Sequence, residues 1–189
     1  LLANAHGGKP MAVWHGIRVA EGEVLLFTDM DQSTPIDQLD LLLPLFERGC
    51  DIVIGSRGTA RKDFPWYRRF GSTVFRTLRH LLLLRDIFDT QCGFKAMRRP
   101  VAMDLFPQLE AIRTPRPVAG WRVSAFDVEL LFLAQRAGYR IGEVGVAWAD
   151  RDLATGKGKS YWAESREMAR QVLRIKLNEW RGAYGGRER

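Results

Sequence analysis

The sequence is poor in the residues that build disulfide frameworks and zinc sites. Its 189 residues include only two cysteines and three histidines. Cys50 and Cys92 do not form a CxxC pair, so a disulfide scaffold is not expected and a reducing compartment is the default. The histidines form no H-x-x-x-H motif and no cluster with the cysteines, so the pattern does not indicate zinc. Neither a P-loop nor a GxGxxG motif is present.

Long apolar runs are also absent. No stretch approaches the about 18 consecutive apolar residues that a membrane-spanning helix needs. The N-terminal stretch "LLANAHGGKPMAVWHG" has no charged region followed by an apolar one, so it is not typical of a signal peptide. It also lacks an initiator Met and begins within a pattern. We therefore expect the chain to be a fragment whose upstream part is missing.

The composition is that of a globular domain with an excess of positive charge. Hydrophobic residues make up 46% of the chain and charged residues 27%, as in a globular protein. Its 189 residues are enough to bury one sizeable core. The net charge is +7 and the sequence pI is about 9.8. This excess favours an anionic partner, which could be a nucleic acid, a phosphorylated substrate or an acidic membrane surface.

The order of apolar segments predicts an α/β fold with a mainly parallel central sheet and flanking helices. The run at 23–29 is typical of a strand buried on both faces. Ser33 or Thr34 is expected to cap the following helix, in which Pro44 introduces a kink, before a second strand at 51–57. Further along the chain the patterns predict helices at 66–84, 124–138 and 161–180, a short helix from Pro100, and strands at 90–99 and 139–150.

Two carboxylates follow the first predicted strand. Since alternate side chains of a strand share one face, Asp29 and Asp31 should project together, and a positive group is expected between them. The carboxyl end of a parallel strand is where α/β proteins bind ligands. Two carboxylates there suit Mg²⁺ or Mn²⁺, which prefer oxygen ligands and can bridge to a diphosphate. The alternative is that Asp29 ends a strand and Asp31 caps the next helix.

A basic segment follows the second predicted strand. Arginine binds phosphate oxygens through a planar fork, and a hydroxyl one helical turn away can complete such a site. The segment can therefore hold phosphate groups, although a solvated basic face would have the same composition. Its members are Arg57, Arg61, Lys62, Arg68, Arg69 and Ser72.

Three further acidic residues are candidates for the site. Asp89 precedes "TQCGFKAM" and could orient a sugar hydroxyl or the nucleophile, or could simply form a turn. Gly93 would allow a ligand to approach the backbone closely. Asp127 and Glu129 lie near the start of a predicted helix, where negative charge is favourable, and could also hold an active site from below.

Taken in order, seven segments resemble a known family. They read "GGKPMAVWHGI", "EVLLFTDMDQSTP", "DIVIGSR", "RRFGSTVF", "DTQCGFKAM", "FDVELLFLAQRAGY" and "EVGVAWAD". The combination resembles glycosyltransferase family 2, from about Asn4 to Asp150, and most closely its dolichyl-phosphate β-glucosyltransferase branch. The resemblance implies the GT-A fold and an inverting enzyme. Such an enzyme would move a hexose, with glucose favoured, from UDP-glucose or GDP-mannose to a polyprenyl or dolichyl phosphate.

The resemblance also implies roles for individual residues. Asp29 and Asp31 match the family's metal-binding D-x-D, with Mg²⁺ or Mn²⁺ as the cofactor. The predicted catalytic residues are Asp31, Arg57 and Asp89. The predicted substrate-binding residues, which include contacts to the acceptor phosphate, the donor diphosphate and a closing loop, are Arg57, Arg68, Ser72, Asp127, Arg151 and Lys159.

Some positions depart from the family pattern. Ser33 stands where the related mannosyltransferases often have Gln, and the family's late Ser-Lys pair appears here as Lys159-Ser160. The first strands, which hold the nucleotide base in the family, are expected to lie upstream of this chain. The sequence therefore predicts the metal and acceptor half of the fold.

The predicted organisation is a partial GT-A domain at 1–160 and an amphipathic C-terminal helix within 161–189. That helix could lie at a membrane interface or simply pack on the domain. The expected location is cytoplasmic, peripheral at the cytoplasmic face of a membrane, with no nucleic-acid partner. Two alternatives stay open: a family 2 transferase with a soluble or polysaccharide acceptor, and a non-catalytic basic module that binds phosphate or nucleic acid.

Overall fold

The described strands form one mixed sheet. In the computed structural model, the described residues are 6–58, 84, 87–115, 125–149 and 161–185. Within them the strands are β1 (Val24–Phe27), β2 (Ile52–Ser56), β3 (Lys95–Arg98) and β4 (Ile141–Gly145), in the spatial order β1-β3-β2-β4.

The α/β fold is as predicted, but the sheet is mixed, because two of its three neighbouring strand pairs are antiparallel. β3 is antiparallel to both β1 and β2, whereas β2 and β4 are parallel. Consequently β1, β2 and β4 all run the same way. The predicted β1-helix-β2 unit therefore exists, but its two strands are not neighbours, because β3 lies between them.

Helices cover both faces of the sheet. Their bounds are α1 (Gly8–Val19), α2 (Leu39–Glu47), α3 (Arg99–Leu105), α4 (Glu110–Arg113), α5 (Phe126–Arg136) and α6 (Tyr161–Trp180), with 3₁₀ turns at Ile36–Gln38 and Phe106–Gln108. Alternate residues of each strand point to opposite faces. On β2, Ile52 and Ile54 join the larger core with α1, α3, α5 and α6, whereas Val53 joins the smaller core under α2.

Several boundaries differ from the expectations. β1 ends at Phe27, two residues before the carboxylate that was predicted to end it. Neither Ser33 nor Thr34 caps a helix through its side chain, because the helical segment begins with a 3₁₀ turn preceded by Pro35. Pro44 lies inside α2. The capping prediction is therefore wrong, since the turn after β1 delays the start of the helix.

The C-terminal helix spans the predicted residues and packs on the rest of the chain. Val172 and Ile175 are buried in the larger core. Gln171 accepts a hydrogen bond from the Ala125 backbone N–H at 2.7 Å, just before α5. Among the described residues, no helix combines the length and the apolar character needed to cross a membrane.

Candidate active site

The mixed sheet brings four chain segments to one edge. The carboxyl ends of β1, β2 and β4 lie at this edge because these strands run in the same direction. β3 runs the opposite way, so it is the segment entering β3 that reaches the same edge. Phe27 and Ile54 are both register partners of Lys95, the first residue of β3. The segments after β1, β2 and β4 and the segment before β3 therefore meet there.

The two predicted metal ligands lie in a turn rather than on a strand. The Gln32 N–H donates to the Asp29 carbonyl at 3.2 Å, and Gln32 adopts a positive φ of 52°. Asp31 Oδ1 accepts a hydrogen bond from the Ser33 N–H at 2.9 Å. The argument from strand alternation is thus wrong for this pair. Both carboxylates belong to a tight turn and not to the pleat of β1.

Asp29 already has a cationic neighbour. Lys9, in the first turn of α1, places its Nζ 2.6 Å from Asp29 Oδ1. The two side chains are 40% and 42% exposed, so water screens this ion pair. A positive group was expected beside the carboxylates, but the sequence did not identify Lys9, which lies 20 residues upstream.

The donor set at this turn fits a hard divalent cation. Within the described part of the chain, no group of three or more His, Cys, Asp and Glu side chains could hold a metal. Mg²⁺ and Mn²⁺ do not require such a cage, since Mg²⁺ commonly uses one or two carboxylates together with substrate phosphates and water. Asp29 and Asp31 provide two carboxylates on a partly exposed turn. Lys9 already places one positive charge beside Asp29.

The segment before β3 packs directly against Asp29. A Cβ atom at Gly93 would overlap the Asp29 carboxylate. Glycine was predicted here because it allows close approach, and the structure shows that the approaching group is this side chain. Gly93 therefore fixes the depth at which the Asp29 carboxylate sits.

Arg57 and Asp89 form a two-pronged ion pair at the same edge. Arg57 Nε donates to Asp89 Oδ2 and Nη2 donates to Oδ1, each at 2.6 Å. The Arg57 backbone N–H also donates to Oδ2, at 3.0 Å. The Arg57 side chain is only 12% exposed and the Asp89 side chain only 16% exposed. Burial alone would lower the pKa of Arg57, but the hydrogen bonds and charge of Asp89 outweigh it and raise that pKa above its ordinary value.

Two residues of β4 and its following segment complete this arrangement, and the sequence had not singled out either of them. Glu143 accepts hydrogen bonds from the backbone N–H groups of Phe88 and Asp89, at 2.8 and 2.9 Å. The Trp148 ring lies 5.6 Å from the Arg57 guanidinium carbon, a cation–π distance. β4 and the segment that follows it thereby contact both partners of the Arg57–Asp89 pair.

A buried ion pair links β3 to α5. Lys95 is fully buried, and its Nζ lies 2.7 Å from Asp127 Oδ1 in the first turn of α5. The same Nζ donates to the Cys92 carbonyl and lies 5.6 Å from the centre of the Phe27 ring. Lys95 therefore ties the segment around Gly93 to α5. The predicted contact of Asp127 with substrate stays a prediction, while its observed partner is this lysine.

The second acidic residue of α5 has a different environment. Glu129 Oε1 accepts hydrogen bonds from the Glu110 N–H at 3.0 Å and from the Tyr184 hydroxyl at 2.9 Å. Burial raises the pKa of Glu129, although these hydrogen bonds oppose the rise. Burial and the neighbouring Glu129 raise the pKa of Tyr184 as well. These contacts join α5 to the segment that follows α6, so this carboxylate serves packing.

Four predicted substrate-binding residues lie outside the described residues. These are Arg68, Ser72, Arg151 and Lys159, and their roles stay predictions. The structure brings together Asp29, Asp31, Arg57 and Asp89 in the segments at one edge of the sheet. Lys9, Lys95, Glu143 and Trp148 are added to the predicted set by their contacts alone.

Comparison with protein families and curated proteins gives consistent matches. The family model described as Glycosyl transferase family 2 matches residues 1–106. A dolichyl-phosphate beta-glucosyltransferase of Drosophila melanogaster is 35% identical over 187 residues, covering 94% of this chain and 53% of that protein. Its counterpart in Dictyostelium discoideum is 32% identical over 186 residues, with the same two shares covered. The chain thus spans about half the length of these relatives.

Solved structures share the fold at lower identity. Glucosyl-3-phosphoglycerate synthase from Mycobacterium tuberculosis, crystallised with Mn²⁺ and UDP-glucose, superposes with a TM-score of 0.57 at 18% identity. The superposition covers 93% of this chain and 56% of that one. The likeness confirms the predicted α/β fold of the GT-A class.

Proposed function

Because this chain belongs to glycosyltransferase family 2, we propose that it forms part of an inverting, metal-dependent hexosyltransferase. The proposed reaction moves a hexose, with glucose favoured, from a nucleotide-sugar such as UDP-glucose or GDP-mannose to a polyprenyl or dolichyl phosphate. The observation that carries the proposal is the meeting of the Asp29–Asp31 turn and the Arg57–Asp89 pair at one edge of the sheet. The names of the curated relatives support the lipid-phosphate acceptor.

The chemistry requires charge control more than proton transfer. The acceptor is already a phosphate anion, so it can displace the diphosphate at the sugar's C1 in line without a strong general base. Asp29 and Asp31 would hold a divalent cation, which would supply electrostatic stabilisation to the departing diphosphate. The residues of the chain then have two tasks, which are to bind that cation and to place two anionic substrates next to each other.

Arg57 supplies positive charge at a fixed place. Its Nε and Nη2 are committed to Asp89, so the guanidinium cannot swing toward an anion as a free surface arginine would. We assign it to the acceptor phosphate or the donor diphosphate, with Asp89 as the group that orients it. Arg68 and Ser72 are assigned to the same anions, and Arg151 and Lys159 to a loop over the diphosphate, from the family resemblance.

The test is sugar transfer by the intact protein from labelled UDP-glucose, with and without Mn²⁺. Polyprenyl phosphate and 3-phosphoglycerate serve as parallel acceptors, because the structural neighbour is named for the second. We expect Mn²⁺-dependent transfer to polyprenyl phosphate and its loss in Asp31→Asn. Transfer to 3-phosphoglycerate alone would support a soluble acceptor. Full metal-dependent turnover by Asp31→Asn would contradict the assignment of the metal site.

A non-catalytic basic module is the remaining alternative. It predicts binding to phosphate or nucleic acid that falls steeply with salt and does not respond to Mg²⁺. The acidic turn argues against a nucleic-acid groove, because exposed carboxylates would repel the phosphate backbone. Binding of RNA or DNA with no sugar transfer, under the same conditions, would favour the module over the enzyme.

We also propose that α6 contacts the surface of a membrane. Leu173, Leu177 and Trp180 recur at i, i+4 and i+7 on one face, and Trp180 is 75% exposed. Arg170 and Arg174, one turn apart, are exposed beside them. An apolar strip bordered by arginines is typical of helices that lie among anionic headgroups. The opposite face, with Val172 and Ile175, is already buried against the domain.

Sedimentation with vesicles containing phosphatidylserine tests this second proposal. Leu177→Ser should reduce binding of the intact protein, whereas Leu43→Ser, at a similarly exposed position on α2, should not. Binding should also weaken with salt, because part of it is electrostatic. Equal sedimentation of both variants and the unchanged protein would refute the role of α6 and leave the transferase proposal untouched.

A further inference from the structure

Glu143 holds two consecutive backbone amides of the segment that carries Asp89. Its Oε2 accepts from the Phe88 N–H at 2.8 Å and its Oε1 accepts from the Asp89 N–H at 2.9 Å. A carboxylate that uses both oxygens on adjacent amides sets both the position and the direction of the backbone there.

The backbone at this point determines where the Asp89 carboxylate lies. Both oxygens of Asp89 are bound by Arg57, through Nε, Nη2 and the backbone N–H. The Gln91 N–H also donates to Asp89, at 3.2 Å. Such an array tolerates little displacement, because a fork of two parallel hydrogen bonds depends on both distance and angle. A shift of the 88–89 backbone would therefore misplace the guanidinium of Arg57.

We propose that Glu143 is a positioning residue for the transfer reaction. It acts through Asp89 on Arg57, so that the guanidinium meets the anionic substrate groups in a fixed orientation. This inference rests on the proposed function, because it assigns Arg57 to those groups. It adds a residue of β4 to a site otherwise built from the segments around β1, β2 and β3.

The informative variant is Glu143→Gln. Glutamine has the same shape but only one acceptor oxygen, and its NH₂ group would face the second backbone N–H. Asp51→Asn is the matched control. Asp51 Oδ2 accepts one backbone N–H, that of Arg140 at 2.8 Å, just before β4 begins. Asparagine can keep that single hydrogen bond, so the control removes a charge without leaving a donor unpaired.

Steady-state transfer by the intact protein, from labelled nucleotide-sugar to polyprenyl phosphate, gives the main result. In Glu143→Gln we expect kcat to fall about 10- to 100-fold, as misplaced catalytic groups do, with any rise in KM confined to the substrate whose phosphate Arg57 contacts. Asp51→Asn should retain the kcat of the unchanged protein. An unchanged kcat in Glu143→Gln would overturn the proposal. Absence of transfer by the unchanged protein would instead overturn the proposed function.

A double variant separates positioning from a loss of folding. Arg57→Lys keeps the charge but cannot form the fork. If Glu143 acts through this pair, adding Glu143→Gln to Arg57→Lys should cost much less than it does alone, because the effects of coupled residues do not add. The assay must be sensitive enough to measure a kcat lowered by the product of the two fold-decreases seen in the single variants. A double variant whose kcat is reduced by that full product would refute positioning. A Glu143→Gln protein that is unfolded at the assay temperature would refute it as well, because loss of the fold would then account for the loss of activity.

Discussion

The buried Lys95–Asp127 pair gives the sharpest test of how the site is supported. Lys95 is fully buried and the Asp127 side chain is only 10% exposed, with 2.7 Å between Nζ and Oδ1. Removing one partner of a buried pair leaves an uncompensated charge and costs about 3–5 kcal/mol. At about 2–4 °C per kcal/mol for a domain of 150–250 residues, Lys95→Met should lower Tm by about 6–20 °C.

The chain contains a matched control for this prediction. Lys9 and Asp29 form the same kind of pair at 2.6 Å, but with 40% and 42% of the side chains exposed. Exposed pairs of this kind contribute about 0–1 kcal/mol, so Lys9→Met should shift Tm by no more than about 4 °C. Thermal unfolding followed by circular dichroism in one buffer compares the two variants directly.

A second substitution identifies the source of the loss. Combining Lys95→Met with Asp127→Leu removes both charges, and replacement of a whole buried pair by apolar groups is often neutral. The double variant should therefore recover most of the lost stability. Equal Tm values for Lys95→Met and Lys9→Met would refute the argument from burial. Failure of the double variant to recover would show that packing, and not the unpaired carboxylate, is the cause.

Three further outcomes are expected from other contacts. Burial raises the pKa of Glu129, so the contribution of this residue to the free energy of unfolding falls as the pH rises from the ordinary 4.5 through the raised value. The oxygen of glutamine can keep both hydrogen bonds, so Glu129→Gln should gain stability relative to the unchanged protein as the pH rises from 4 to 7. Urea unfolding that gives the same stability difference at pH 4 and at pH 7 would contradict this. Gly93→Ala should weaken Mn²⁺ binding by displacing Asp29, whereas Gly145→Ala, where a Cβ meets no atom of the described residues within 4 Å, should not; calorimetric titration distinguishes them. Lys9→Met should tighten Mn²⁺ binding at low salt, because an ammonium no longer competes for Asp29, and weaker binding in an electron paramagnetic resonance titration would argue against it.

The sequence predicted the parts of the site that depend on local pattern. Asp29 and Asp31 were singled out as candidates because they follow an apolar strand, and the bounds of α6 follow from its helical periodicity. Lys95 could not be recognised in this way. In the string "GFKAM" it reads as an ordinary charged residue, and its partner Asp127 lies 32 residues later. Only the packing of α5 against β3 reveals that this lysine is buried and paired.

The connectivity of the sheet escaped prediction for a related reason. A strand, a helix and a second strand with apolar character fit a parallel neighbour pair, and nothing local reveals that another strand lies between them. The position of β3 depends on pairings of Val24 with Arg98 and of Ile52 with Met97, which are distant in sequence. Glu143 was overlooked for the same cause, since it acts on an amide 54 residues away.

The reversed direction of β3 divides the chain into parts with different freedom to change. Residues 88–94 lie at the edge of the sheet that carries the Asp29–Asp31 turn and the Arg57–Asp89 pair, whereas the passage from Arg98 into α3 lies at the opposite edge. The passage from Arg98 into α3 could therefore change in length or sequence during evolution without disturbing the proposed reaction. If the proposed function holds, changes of acceptor would instead accumulate in the short stretch leading into β3, where a single backbone segment borders both the carboxylate turn and Arg57.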